Sequence, residues 1–214
     1  NGSNLLVSDS GVEALFIRIG ARMAGVGFDG TRLKCGAGAL LCTAAKAAVA
    51  EGLAGLEWAA GIPGTVGGAV AMNAGAYGGE MKQVLESVAV MTADGEFLTI
   101  PVEEMGLAYR TSVVEQKNYI VLEAVISLEK GNPEKIKEVM DDLKEKRVTK
   151  QPLEYASAGS TFKRPEGYFA GKLIEDAGLR GFRVGDAQVS EKHCGFVINR
   201  GNASAAEIME LMRQ

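Results

Sequence analysis

The sequence predicts an α+β protein organised in two parts. Three observations carry this expectation. Asp29-Gly30 and Asp94-Gly95 each lie between short apolar runs, the pattern of a β-hairpin. Leu40–Glu51 is rich in Ala and Leu and stops at Gly52, while Asn132-Pro133 opens a second, longer helical pattern with Asn as cap and Pro in the first turn. Between them lies Gly61–Glu80, GIPGTVGGAVAMNAGAYGGE, with seven glycines and almost no charge.

In order, Gly2-Ser3-Asn4 is turn-forming, with a second anion-holding loop as the sharper reading. Leu5–Ser8 and Ala14–Gly20 read as short strands around the turn Ser8-Asp9-Ser10-Gly11. Met23–Phe28 and Arg32–Cys35 form the first hairpin, and Val84–Thr92 and Glu96–Ile100 the second. Tyr119–Leu128 suits a central strand. After Asn132-Pro133, the residues Ile136, Val139, Met140 and Leu143 recur at helical spacing and predict a core stripe. Gln151–Tyr168 is polar and irregular, Phe169–Ala177 is a short helix stopped by Gly178, and Arg183–Asn199 supplies two short strands. Ser204 and Glu207 form a capping box for a last helix. The break between the parts is expected near Leu128–Asn132, giving units 1–128 and 129–214.

Composition narrows the class. The chain has 214 residues, 47% of them hydrophobic and 23% charged, as in a globular domain. A net charge of −4 argues against a general nucleic-acid binder, which needs a basic surface. No apolar run reaches the roughly 20 residues of a membrane span. Cys35, Cys42 and Cys194 suit neither a disulfide framework nor a zinc site, and a reducing compartment is expected. With His193 as the sole histidine, neither a metal centre nor a His-based triad is expected.

The glycine run has neither Rossmann nor Walker A spacing. Bare N–H groups lining a concavity suit a pyrophosphate, and a tight structural turn is the other reading. Arg110, in the connection Tyr109-Arg110-Thr111-Ser112, offers a permanent forked cation for a carboxylate, or is a surface arginine. Ser160 follows Gly159 and precedes Lys163 and Arg164, so its hydroxyl is either a proton donor beside cations or a turn serine. Lys144, Lys146, Arg147 and Lys150 crowd the end of the long helix, as a solvated basic face or the border of an anion site.

Six motifs occur in one order. They are Asn1–Val7, Gly61–Ala69, Met72–Gly78, Tyr109–Ser112, Ser157–Pro165 and Ser190–Asn199. Together they resemble the UDP-N-acetylenolpyruvoylglucosamine reductase family, essentially from end to end. The resemblance implies an FAD-binding fold of the vanillyl-alcohol-oxidase type, followed by a smaller α+β substrate-binding domain. It implies non-covalent FAD, NADPH as hydride donor, and reduction of the enolpyruvyl sugar nucleotide to UDP-N-acetylmuramate for peptidoglycan. Cofactor contacts are expected from Asn1, Gly2, Ser3, Asn4, Gly61, Ile62, Pro63, Gly64, Thr65, Gly67, Gly68, Ala74 and Arg147. Lys150, Lys163, Arg164 and Lys192 are expected at the substrate's diphosphate and uridine end. Arg110 would stabilise an enolate-like state and Ser160 would protonate the carbon. The family's catalytic glutamate would lie beyond Gln214 and part of the flavin domain before Asn1, so a piece of a longer enzyme is expected. Only six residues separate Ser112 from Tyr119, which matches the subclass lacking a tyrosine-bearing loop. A cytoplasmic monomer with no nucleic-acid or membrane partner is implied. Another FAD oxidoreductase of this fold, or a non-catalytic nucleotide-sugar binding module, are the alternatives.

Overall fold

The computed structural model describes residues 2–214; Asn1, expected at the cofactor, lies outside the described residues. The architecture is α+β. The chain divides into two compact units, one of Ile17–Glu145 and one of Gly2–Phe16 with Lys146–Gln214.

The first unit opens with the expected hairpin, β1 (Val26–Asp29) and β2 (Arg32–Gly36), closed by Gly30 at φ 62°. There follow α1 (Leu41–Ala50), the short strand β3 (Leu53–Ala54) and α2 (Val66–Ala71). Two-residue strands β4 (Gly75–Ala76) and β5 (Gly79–Glu80) pair with each other. The second hairpin is β6 (Leu85–Met91) and β7 (Phe97–Pro101). A short helix α3 (Val113–Gln116) leads to β8 (Ile120–Ser127), and β9 (Glu129–Lys130) pairs with β3. The helix α4 (Pro133–Lys150) begins here and ends in the second unit.

The main sheet runs β1-β2-β8-β6-β7, antiparallel throughout, with β8 central as its apolar composition predicts. α1 buries Leu41, Ala44, Ala45 and Ala48 in the same core as Leu33, Val88, Val90, Ala124 and Ile126. The alanines let the helix approach closely, which a row of leucines would prevent. Trp58 donates from Nε1 to the Gly55 carbonyl at 2.9 Å, and its ring abuts Gly79, where any Cβ would collide with it.

The second unit holds α5 (Ala170–Asp176), the three-stranded antiparallel sheet β10 (Arg183–Val184), β11 (Ala187–Val189) and β12 (Val197–Asn199), and α6 (Ala205–Arg213). Ala187, Val189, Cys194 and Leu211 form its buried core. The Ser204–Glu207 capping box is present in both directions. Asp9 adds to it, accepting from the Ala205 and Ala206 amides at 2.7 and 3.0 Å.

Four expectations are corrected. Leu5–Ser8 and Ala14–Gly20 form no strand; among the described residues no neighbouring strand pairs with them, and Leu15 and Ile17 are 89% and 74% exposed. The stretch 61–80 is no plain loop, because Thr65 caps a helix inside it through a bond from the Gly68 amide. Arg183–Asn199 contains three strands, since Gly185 at φ 56° permits an extra tight turn. In the stripe on α4 only Ile136 is fully buried, whereas Val139 is exposed.

Candidate functional site

The glycine run lies wholly in the first unit and departs from a row of bare amides. Ile62, Val66 and Gly67 donate to the carbonyls of Ala59, Ala39 and Ala37 at 3.0, 2.8 and 2.9 Å. Gly67 is glycine for a packing reason, since a Cβ there would stand 2.8 Å from the Ala37 Cβ. The N–H groups of Gly64 and Thr65, just ahead of α2, meet no partner among the described residues. Gly68 is different again. A Cβ on it would meet only Thr65 Oγ1, at 3.5 Å, so its face is open.

That face borders a cavity of about 150 Å³, lined by Ile19, Ala37, Thr65, Gly67, Gly68, Ala71, Val114, Tyr119, Ile120 and Val121. Small residues, a bare-amide turn and an apolar wall fit part of a flavin dinucleotide. The volume is well below the roughly 300–1,000 Å³ of common ligand pockets, so the first unit alone encloses only a portion of one. The sequence pattern assigns neither Val114 nor Tyr119 a site role, because Val114 is one apolar residue of the short helix α3 and Tyr119 reads only as the start of a strand. Ala74 is buried; its amide donates to the Ala69 carbonyl and its carbonyl accepts from Met81, so the fold itself accounts for it. Ile62 packs on the core and Pro63 and Gly61 are exposed.

Arg110 sits at the tip of a tight turn in the same unit. Ala108 and Thr111 exchange backbone bonds at 3.2 and 3.3 Å, with Tyr109 and Arg110 between them. Arg110 has φ 58°, a left-handed conformation that costs a residue with a Cβ roughly 1–2 kcal/mol. Its guanidinium lies 5.8 Å from the centroid of the Tyr109 ring. Two buried polar side chains support the turn. Asn73 donates from Nδ2 to the Ala108 carbonyl at 3.2 Å and to Glu80 Oε2 at 2.8 Å, and Ser112 donates from Oγ to the Ala71 carbonyl at 2.7 Å. Both lie inside the motifs Met72–Gly78 and Tyr109–Ser112, but neither gains a role from the sequence pattern, since buried polar side chains have no periodicity.

In the second unit, Gly2, Ser3 and Asn4 form the expected turn, with Gly2 at φ 74° and the Leu5 amide donating to the Gly2 carbonyl. The run carrying Ser160 is laid beside β12 by bridges at Ala156–Asn199 and Ser160–Phe196 and arches outward between them, with Gly159 at φ 84°. Thr161 locks the position by donating its amide to Gly195 and accepting the Val197 amide on Oγ1. The Ser160 side chain is exposed. Arg164 stacks over the Phe169 ring at 4.4 Å, and Lys163 and Lys150 are exposed. Lys192 donates to the Val148 carbonyl at 2.7 Å near the C-terminus of α4, and its ammonium also pairs with the Glu154 carboxylate at 3.8 Å. Arg147 is half-buried on α4.

His193 accepts the Gly195 amide on Nδ1 at 3.1 Å and sets its ring edge-on to Phe196, the arrangement of a satisfied structural histidine. Cys35 is buried, and burial, helped by Glu123, pushes its thiol up to about 12. Among the described residues no three His, Cys, Asp or Glu side chains gather as a metal site, and no helix is long and apolar enough to cross a membrane.

Residues 1–101 match the family model described as FAD binding domain, and residues 151–214 that described as UDP-N-acetylenolpyruvoylglucosamine reductase, C-terminal domain. Among relatives, the UDP-N-acetylenolpyruvoylglucosamine reductase of Agathobacter rectalis is 56% identical, over all of this chain and 72% of its own length. That of Clostridioides difficile is 51% identical, over 99% and 70%. The crystal structure of the reductase from Thermus caldophilus superposes with a TM-score of 0.89 at 41% identity, covering 99% of this chain and 77% of that one.

Proposed function

The chain belongs to the UDP-N-acetylenolpyruvoylglucosamine reductase family, and from that premise we propose that it serves the NADPH-dependent reduction of the enolpyruvyl group of UDP-N-acetylglucosamine enolpyruvate, giving UDP-N-acetylmuramate for peptidoglycan. The observation that carries this reading is the bare-amide turn at Gly64-Thr65 beside the open face of Gly68, on the rim of a small cavity. When bound, FAD supplies the two-electron chemistry that links NADPH to the substrate's double bond.

The protein's own residues bind, orient and move a proton. Gly61, Ile62, Pro63, Gly64, Thr65, Gly67, Gly68 and Ala74 would hold the flavin nucleotide, and the bare Gly64 and Thr65 amides would offer donors to its diphosphate. Gly2, Ser3, Asn4 and Arg147 carry the same role. Arg110 holds the substrate carboxylate and stabilises the negative charge that gathers on the adjacent carbon as the double bond is reduced. The Ser160 hydroxyl delivers the proton to that carbon. Lys150, Lys163, Arg164 and Lys192 hold the substrate's diphosphate and uridine end, through charge and, at Arg164, the stack on Phe169. Residues 1–128 then belong to flavin binding and 129–214 to substrate binding, in a cytoplasmic monomer with a nucleotide-sugar substrate and no nucleic-acid or membrane partner.

Rapid-mixing kinetics on the flavin-loaded protein test the central role. Ser160→Ala leaves flavin bleaching by NADPH intact and slows recovery of colour with the enolpyruvyl substrate by roughly 10²–10⁴. If both phases slow together, Ser160 is not the proton donor.

A further inference from the structure

We propose that Asn73 is the positioning residue for Arg110: it anchors the Tyr109-Arg110 turn to the chain leaving α2, and so sets where the guanidinium stands relative to the Gly64-Thr65 cradle at the other end of that helix. The inference rests on the reading of Arg110 given above.

Asn73 is 3% exposed, and its side-chain nitrogen and oxygen are both hydrogen-bonded within the first unit. Nδ2 donates both to Ala108 O and to Glu80 Oε2, and Oδ1 accepts the Lys82 amide at 3.0 Å. Ala108 O is also the atom that closes the turn, because Thr111 donates to it. The other foot of the turn is held by Ser112 on the Ala71 carbonyl. Both feet are therefore tied to the C-terminal end of α2, one at its last residue Ala71 and one at Asn73 just beyond it, while the bare amides of Gly64 and Thr65 directly precede the helix. A six-residue helix acts as a spacer of fixed length between the two sites.

The residue type follows from this geometry. Asparagine alone among side chains of its length offers two donors and an acceptor. Aspartate would set a carboxylate against Glu80 and the Ala108 carbonyl. The backbone of Asn73 is itself left-handed at φ 40°, which asparagine tolerates better than most residues. Arg110, by contrast, is an arginine in a conformation that suits glycine, so it depends on outside anchoring to stay there.

Asn73→Gly removes the side chain and keeps the backbone conformation affordable. In cofactor-free protein we expect trypsin to cut after Arg110 about tenfold faster in this variant, the scale of a lost buried hydrogen bond. In the flavin-loaded protein, recovery of colour with the enolpyruvyl substrate slows as much as in Arg110→Ala, bleaching by NADPH is unchanged, and Asn73→Gly/Arg110→Ala is no slower than Arg110→Ala alone. Ser112→Ala, which releases the other foot, shows the same pattern and carries the test if Asn73→Gly does not fold. Unchanged cleavage, or losses that simply multiply in the double variant, overturn the proposal. Faster cleavage with an Arg110→Ala protein of normal substrate turnover supports the anchor and sinks the reading of Arg110 instead.

Discussion

At the scale of single residues, two neighbouring glycines in α2 are glycine for different reasons, and a matched pair of substitutions separates them. Gly67→Ala drives a Cβ to 2.8 Å from the Ala37 Cβ and 3.1 Å from its carbonyl oxygen, atoms of the rigid β2–α1 connection. It is expected to destabilise the protein by roughly 1–3 kcal/mol, read as a lower denaturant midpoint. Gly68→Ala meets open space and replaces a flexible residue within a helix, so the cofactor-free protein is expected to be as stable or more so, by up to about 1 kcal/mol. Its effect falls on flavin affinity, measured by fluorescence quenching on titration with FAD, which weakens because the added methyl enters the cradle. The same contrast bears on Cys35. Its thiol, buried and pushed up to about 12, stays unalkylated in the native protein at neutral pH.

Among elements, α6 illustrates how distant parts of the chain complete a cap. Its capping box was legible in Ser204 and Glu207, but the third contributor, Asp9, lies 196 residues away along the chain from Ala205 and no local pattern could reveal it. The amides of Ala205 and then Ala206 hold the Asp9 carboxyl below its usual 3.8. A carboxylate whose folded value is depressed contributes stability above the unfolded value and loses it as pH falls through the folded one. The extra hydrogen-exchange protection of the Ala205 and Ala206 amides in the wild type over Asp9→Ala is therefore expected to be full at neutral pH and to be lost only below 3.8, as pH falls through the lower folded value. Local chemistry made the hairpins, the helix α1 and the start of α4 readable, because Asp-Gly turns, small helical faces and an Asn-Pro cap act within a few residues. It failed at Leu5–Ser8 and Ala14–Gly20, where strand-like composition finds no pairing strand among the described residues. It also missed α2, whose glycines disfavour a helix that Thr65 and the packing against Ala37 impose.

For the whole molecule, the two units have unequal cores. The first is built on a five-stranded sheet and an alanine-faced helix, the second on three short strands around a small cluster of Ala187, Val189, Cys194 and Leu211. The family resemblance was readable because motif order survives where each motif alone is ambiguous. The site was readable only in part. Val114, Tyr119 and Val121 share a cavity with residues of α2, and the anchors Asn73 and Ser112 join the stretches 71–73 and 108–112, contacts between distant segments that no single stretch encodes. A flavoprotein of this reading is expected to be yellow, to bleach with NADPH, and to regain colour on adding the enolpyruvyl sugar nucleotide; an oxidant-only recovery would point to another substrate.

The indole wedged against Gly79 has an optical consequence. Trp58 is the single tryptophan of the chain, and it belongs to the first unit. Emission excited at the red edge of protein absorbance therefore follows that half alone, whereas circular dichroism follows both. A gap between the two melting profiles would measure how independently the halves come apart, with no label attached to the protein.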